Sequence, residues 1–147
     1  MITYYLTLSQ VFPSTHARAG QPTNFESAFL KFDKKHTIRA NYEFWAKRFE
    51  KIAKGEAVLS IRQWVGKPYG KGSTQREIAL LTREDGIGLQ KIQFVNIDIM
   101  PLVDGKAQPK HLVANNDGLT YDDWREWFKG YNLSKPMAII HFTKFRY

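Results

Sequence analysis

The densest chemistry in the sequence is a short run of cations around a hydroxyl, Lys34-Lys35-His36-Thr37-Ile38-Arg39. Alternate residues of a β-strand share one face, so Lys35, Thr37 and Arg39 are expected to project together. Lys34 stands where a turn gives way to the strand and can reach either face. Arginine offers a two-pronged donor to phosphate or carboxylate, and lysine offers a mobile point charge. The run therefore predicts a site for an anion or a carbonyl group.

The same run also has a catalytic interpretation. Burial and neighbouring cations disfavour the charged form of a lysine, which lowers its pKa. A lysine in that state can act as a base toward the hydroxyl of Thr37, which then becomes a nucleophile. The alternative is structural, because charges on an edge strand also serve to prevent aggregation.

A second stretch, residues 62–72, combines cations, aromatic rings and glycines. Aromatic side chains stack on nucleic-acid bases, while lysines and glycine-rich backbone meet phosphates. It is not a Walker A loop, because its glycine spacing is one residue short. The alternative is a hairpin loop with the tryptophan in the core. The ligand contacts predicted from this stretch are Arg62, Trp64, Lys67, Tyr69 and Lys71.

A third stretch, Asn115-Asn116-Asp117-Gly118, reads as a tight turn ahead of a helix. An aspartate in such a turn usually bonds its own backbone, and spacing alone gives no reason to place Asp117 against the lysine–threonine strand. The four histidines show no metal-ligand spacing, and the chain has no cysteine. We therefore expect neither a metal site, nor a disulfide, nor any cofactor.

Charge supplies the first indication of a partner. The chain has 147 residues, 43% of them hydrophobic, and a formal net charge of +8, all of it contributed by residues 17–76. A basic surface attracts polyanions, nucleic acid first among them, although it also serves simply to keep a protein in solution. The length fits one domain, residues 1–147. The first eight residues lack a signal-peptide pattern and no run of 18 apolar residues occurs, so we expect a cytoplasmic protein that does not contact membranes.

Periodicity and turn signals predict the elements that must position these residues. Helices are expected over residues 25–32, 42–54 and 121–128, with Asn24 or Thr23, Asn41 and Thr120 at their respective N-caps. The predicted strands are residues 2–8, 35–40, 57–65, 76–83, 87–95, 110–114 and 137–145. This order predicts an α+β fold in which a small barrel-like sheet is flanked by short helices.

The run from Lys34 to Arg39 resembles the Lys-x-x-Thr-x-Arg signature of ASCH domains, which belong to the PUA-like superfamily. Gly55 with the strand that leads to Trp64, the Asn116-Asp117-Gly118 turn and the closing strand at 138–145 are similar to further segments of that family. The resemblance extends from about residue 29 to residue 147. The 62–69 block and Val11-Phe12-Pro13 are similar to a small standalone bacterial or phage-type subgroup.

The resemblance implies a small PUA-like β-barrel whose cleft is lined by the signature strand, and RNA or nucleotide binding in general. Some bacterial ASCH proteins are amidohydrolases that remove the acetyl group from N4-acetylcytidine with a lysine, a threonine and a glutamate. Those roles fall on Lys34, Thr37 and Asp117, with Arg39 adjacent. Aspartate stands here in place of glutamate, and its side chain is one methylene shorter.

Two functions are therefore expected. The broader one is a module that binds RNA, single-stranded nucleic acid or a nucleotide in a basic cleft. The alternative is an amidohydrolase acting on a modified cytidine nucleoside, with Lys34 as base, Thr37 as nucleophile and Asp117 as the acidic residue. The residues expected to contact the ligand are Lys35, Arg39, Arg62, Trp64, Lys67, Tyr69, Lys71 and Asn116.

Overall fold

A computed structural model describes residues 1–65, 72 and 74–147. Within this part of the chain, eight strands and four α-helices follow one another, with a single 3-10 turn at Arg83–Asp85. The strands are β1 Ile2–Leu8, β2 His36–Arg39, β3 Ala57–Val65, β4 Thr74–Leu81, β5 Gly88–Gln93, β6 Leu102–Val103, β7 Lys106–Ala107 and β8 Met137–His141. The helices are α1 Phe25–Leu30, α2 Tyr42–Ala53, α3 Lys110–Asn116 and α4 Tyr121–Phe128.

The strands form two sheets. In the three-stranded sheet, β3 lies between β1, to which it is parallel, and β4, to which it is antiparallel. The five-stranded sheet has the order β2-β8-β5-β6-β7, with antiparallel neighbours throughout. The expected α+β class is confirmed, but these sheets do not join into one closed barrel. Where β2 approaches β1, an Arg39 side-chain N–H donates to the carbonyl of Thr7 at 2.8 Å, a side-chain bridge rather than a backbone ladder.

Several elements match the sequence-based expectation. Strands β1 and β3 have the predicted bounds. Helix α2 buries Trp45, Phe49 and Ile52, which the helical period places on one face, and Asn41 accepts a hydrogen bond from the Phe44 N–H. Thr120 likewise caps α4. Local hydrogen-bond chemistry therefore fixes the starts of α2 and α4.

The predicted strand at residues 110–114 is wrong, because this segment is helix α3. Its N-terminus is set by Pro109, whose carbonyl accepts from the Val113 N–H at 3.1 Å. The buried positions Val113, Ala114 and Asn116 fit the helical period. A short apolar run fits either period, so pattern alone does not separate the two structures. The closing strand is also shorter than predicted and ends at His141.

The core lies along strand β8, which is buried at all five of its positions between β2 and β5. Apolar residues from both sheets and from α2 and α4 complete it, among them Leu6, Leu59, Ile61, Ile52 and Trp124. Strand β2 is thus held at the edge of a well-packed sheet, with its backbone paired to β8 along one side only. In the described part of the chain, no helix is long and apolar enough to span a bilayer.

Candidate active site

Lys34 reaches the site through the turn that ends α1. The amides of Asp33 and Lys34 both donate to the carbonyl of Ala28, at 2.9 and 3.0 Å, which folds the chain back sharply. Strand β2 begins two residues later. The Lys34 side chain is consequently only 2% exposed, an unusual position for a lysine without partners.

Asp117 supplies the partner. The Lys35 N–H donates to the carbonyl of Asn116 at 2.7 Å, which fastens the end of α3 to the start of β2. The Lys34 ammonium nitrogen then lies 2.6 Å from the Asp117 backbone oxygen and 3.2 Å from its carboxylate Oδ1. Gly118 follows at φ +84°, and a Cβ there would lie 3.1 Å from the Lys34 Cβ. This left-handed turn therefore leaves room for the lysine stem.

His36 also lies close to Asp117. Its Nδ1 lies 3.4 Å from Asp117 Oδ1, and its Nε2 lies 2.6 Å from the hydroxyl of Tyr147. The Asn116 side-chain amide donates to the same hydroxyl at 3.1 Å. Burial lowers the pKa of His36, so the ring is neutral near pH 7 and adds no second buried cation.

Burial also lowers the pKa of Lys34 and is the largest influence on it. The positive charge of Arg39 lowers this pKa as well. The carboxylate of Asp117 opposes them by attracting and hydrogen-bonding the ammonium form. The Phe25 ring centroid lies 4.2 Å from the Lys34 nitrogen. Lys34 is therefore an amine whose proton is held less firmly than that of an exposed lysine.

These groups surround a cavity of about 130 Å³, which we call the Lys34 cavity. Its polar wall consists of Lys34, Thr37, Arg39 and Asp117. An apolar cavity of roughly 150 Å³ holds one benzene ring, so a volume of this order suits a single planar ring. The remaining lining residues are Phe25, Ile38, Ala40, Leu119, Trp127, Phe128 and Tyr131.

The structure thus brings together four of the predicted site residues, Lys34, Thr37, Arg39 and Asp117, although Lys34 and Asp117 are 83 positions apart in the chain. Base, hydroxyl, carboxylate and guanidinium line one small space. This combination can move a proton between an amine and a hydroxyl and can stabilise an oxyanion.

The other predicted ligand contacts lie elsewhere. Lys35 places its ammonium 5.0 Å from the Phe145 ring centroid, so it does not join Thr37 and Arg39 in the Lys34 cavity. The Arg62 guanidinium packs on Tyr5, and its Nε donates to Ser60. Asn116 bonds Tyr147.

Trp64 lines two neighbouring cavities, of about 620 and 260 Å³. The predicted contacts Lys67, Tyr69 and Lys71 fall outside the described residues.

Sequence reasoning missed His36 as a partner of Asp117, since strand alternation assigns it to the opposite face from Thr37 and nothing in its spacing points to residue 117. It also missed the aromatic side chains that line the Lys34 cavity. Here a signal was present, because Trp124, Trp127, Phe128 and Tyr131 recur at helical spacing along and just beyond α4. Two of the four, Trp127 and Phe128, line the Lys34 cavity from α4 itself.

Within the described residues, no group of three or more histidine, aspartate or glutamate side chains could hold a metal ion. Comparisons with protein-family models, curated proteins and solved structures found no match to this chain. The geometry of the Lys34 cavity and the short motifs of the chain are therefore what indicate its function.

Proposed function

We propose that this protein is an amidohydrolase that removes the acyl group from an N4-acylated cytosine. The observation that carries the proposal is the convergence of Lys34, Thr37 and Asp117 on one buried cavity of single-ring size. The resemblance to the ASCH signature supports the same assignment and names the substrate class. A PUA-like arrangement of the two sheets belongs to this proposal as well.

In the first half-reaction, neutral Lys34 takes the proton of the Thr37 hydroxyl as the oxygen attacks the acyl carbonyl carbon. Arg39 stabilises the negative charge that develops on the carbonyl oxygen. The tetrahedral intermediate then expels the cytosine N4 amine, which receives the proton from the Lys34 ammonium. The C–N bond is broken and the acyl group is left as an ester on Thr37.

In the second half-reaction, water attacks the ester while Lys34 accepts its proton. The C–O bond to Thr37 breaks, the Thr37 oxygen takes the proton back, and the carboxylic acid leaves. Asp117 acts through Lys34, because its carboxylate and backbone oxygens both hold the amine at the cavity wall. It orients the base and governs how readily the base is protonated.

Binding of single-stranded nucleic acid without catalysis is the second candidate. The observation that favours it is the net charge of +8 contributed by residues 17–76, which include β2. Under this function the Lys34 cavity receives an unmodified base, and affinity falls steeply as salt concentration rises. The first function needs no phosphate contact and predicts hydrolysis of a free nucleoside.

The decisive experiment incubates the purified protein with N4-acetylcytidine and measures the release of cytidine. Thr37→Val removes the hydroxyl while keeping the side-chain volume, and we expect a rate loss of about a thousandfold or more. Thr3→Val makes the same change at an exposed strand position and serves as the control. Hydrolysis by the Thr37→Val protein at the parent rate would rule out the mechanism. No release by the parent protein, together with salt-dependent RNA binding, would establish the second candidate instead.

A further inference from the structure

A second cavity lies beside the Lys34 cavity and is not used by the proposed reaction. It has a volume of about 620 Å³, and we call it the Gln63 cavity. Its lining includes Gln63 and Trp64 from β3, Arg76 from β4, and Glu26 and Phe25 from α1. A volume of this size is in the range of small-molecule binding sites.

Gln63 is the feature that points to a ligand. The side chain is only 3% exposed, and its Oε1 makes no hydrogen bond with any described residue. Its amide nitrogen donates to the Trp64 carbonyl at 3.3 Å, which fixes the orientation of the group. A buried acceptor without a donor is costly for a folded protein. A ligand N–H in the cavity would satisfy it.

The rest of the lining suits a nucleotide. Trp64 is among the residues that line the cavity, and aromatic side chains are the surfaces on which single-stranded bases stack. Every nucleobase carries an N–H or amino donor on its pairing edge, which is what the Gln63 oxygen requires. Arg76 pairs with Glu26 at 2.6 Å, so Lys31 leaves the lining with one net positive charge, which suits a phosphate.

The Lys34 cavity and the Gln63 cavity share a lining residue. Phe25 lines both the Lys34 cavity and the Gln63 cavity, so the two cavities are neighbours. Two neighbouring spaces that share a lining residue could receive two successive nucleotides of one strand, with the acylated cytosine in the smaller space and its neighbour in the larger one.

We propose that the Gln63 cavity binds the base adjacent to the acylated cytosine, so that a single-stranded oligonucleotide is bound and hydrolysed in preference to the free nucleoside. This inference rests on the proposed function for the identity of the first base. The binding of the second base is tested separately from hydrolysis.

The test uses dinucleotides of unmodified cytidine and adenosine, in both orders, and the same molecules with an abasic sugar in place of the adenosine. These probes carry no acyl group, so calorimetry measures binding alone. We expect the adenine base to raise affinity in one of the two orders, by about fivefold to 150-fold from the usual contribution of stacking. Equal affinity for base-containing and abasic probes in both orders would overturn the inference.

A variant tests the role of the Gln63 oxygen. Gln63→Met keeps the length of the side chain and removes the acceptor, so we expect the gain from the adenine base to fall by about tenfold or less, as for one lost hydrogen bond. Gln93→Met, at an exposed position of β5, is the matched control and leaves that gain unchanged. Gln63→Met also removes the amide that donates to the Trp64 carbonyl, so the melting temperature of the variant is measured alongside to show that it is folded. An undiminished gain in the Gln63→Met protein would contradict the assignment of the acceptor.

Turnover then separates the two proposals. If the parent hydrolyses N4-acetylcytidine and prefers the same base within the dinucleotide, both stand. If it releases no cytidine but shows base-dependent dinucleotide binding, the proposed reaction fails and the second base site remains. If it hydrolyses the free nucleoside and gains nothing from a neighbouring base, the reaction stands and the second base site is refuted.

Discussion

At the scale of single residues, the site depends on a balance of forces on Lys34. Burial weakens its hold on a proton, and the Asp117 carboxylate at 3.2 Å strengthens that hold. A general base works only when it is neutral, so the position of this balance sets the pH range of the proposed reaction.

Asp117→Asn removes the charge that raises the pKa of Lys34, so we expect the pKa of the lysine to fall further. The fraction of neutral base at a given acidic pH then increases, and the acidic limb of kcat/KM for N4-acetylcytidine moves to lower pH. The maximum rate falls as well, because the amine is held less well. The measurement is a pH–rate profile of each protein.

Asp98→Asn is the control for this experiment, because Asp98 is an exposed carboxylate paired with Arg125. We expect Asp98→Asn to leave the acidic limb of the kcat/KM profile at the same pH as in the parent. A limb that moves to higher pH in Asp117→Asn would show that another group is the base.

At the scale of elements, the turn between α3 and α4 keeps the lysine stem in place. Gly118 has φ +84°, and three carbons of Lys34 lie 3.1–3.2 Å from the position of a Cβ at this residue. Gly105, in the turn between β6 and β7, has φ +82° and nothing within 4 Å of the corresponding position. The two glycines share a backbone conformation and differ in what surrounds them.

We expect Gly105→Ala to lower the free energy of unfolding by about 1–2 kcal/mol, the usual cost of a left-handed non-glycine residue. Gly118→Ala should lower it further and should also reduce hydrolysis, since the new methyl group displaces Lys34. Urea denaturation and turnover measured on both variants test this. Equal effects of the two substitutions would show that the approach of Gly118 to Lys34 has no energetic weight.

The same elements show what sequence could and could not predict. Alternation and capping residues found β1, β3, α2 and α4, because those signals are local. Helix α3 is not predicted, because its short apolar run fits two periods. Lys34, Thr37 and Arg39 are close in sequence, so their residue types and spacing alone predict them as site residues. The approach of Asp117 depends on the bond from the Lys35 amide to the Asn116 carbonyl, a tertiary contact that no spacing reveals.

At the scale of the whole molecule, the fold carries neutral histidines in its interior. His141 is fully buried on β8, and its Nε2 lies 2.9 Å from the Gln90 side-chain oxygen. Burial, with smaller contributions from His36 and Arg146, lowers the pKa of His141 from 6.5 to about 3. Between those two pH values the unfolded chain binds more protons than the folded one.

Stability should therefore decrease as pH falls from 6.5 toward 3, by up to about 5 kcal/mol from His141 if its full pKa shift is realised. Urea denaturation at a series of pH values measures the slope. His141→Gln removes the titrating group, so its slope should be shallower even if its stability at pH 7 is lower. A slope identical to that of the parent would assign the acid sensitivity to other groups, of which buried His36 is the first to test.

The pairing of Lys34 with Asp117 has a practical consequence, because the exposed Glu84-Asp85 turn lies between them in the chain. A cut at that turn leaves Lys34, Thr37 and Arg39 on one fragment and Asp117 on the other. Strand β8 of the second fragment must then pair again with β2 of the first. Neither fragment alone holds all the residues of the proposed reaction, so under that proposal cytidine release would report their reassembly, and the protein could serve as a two-part sensor of molecular proximity.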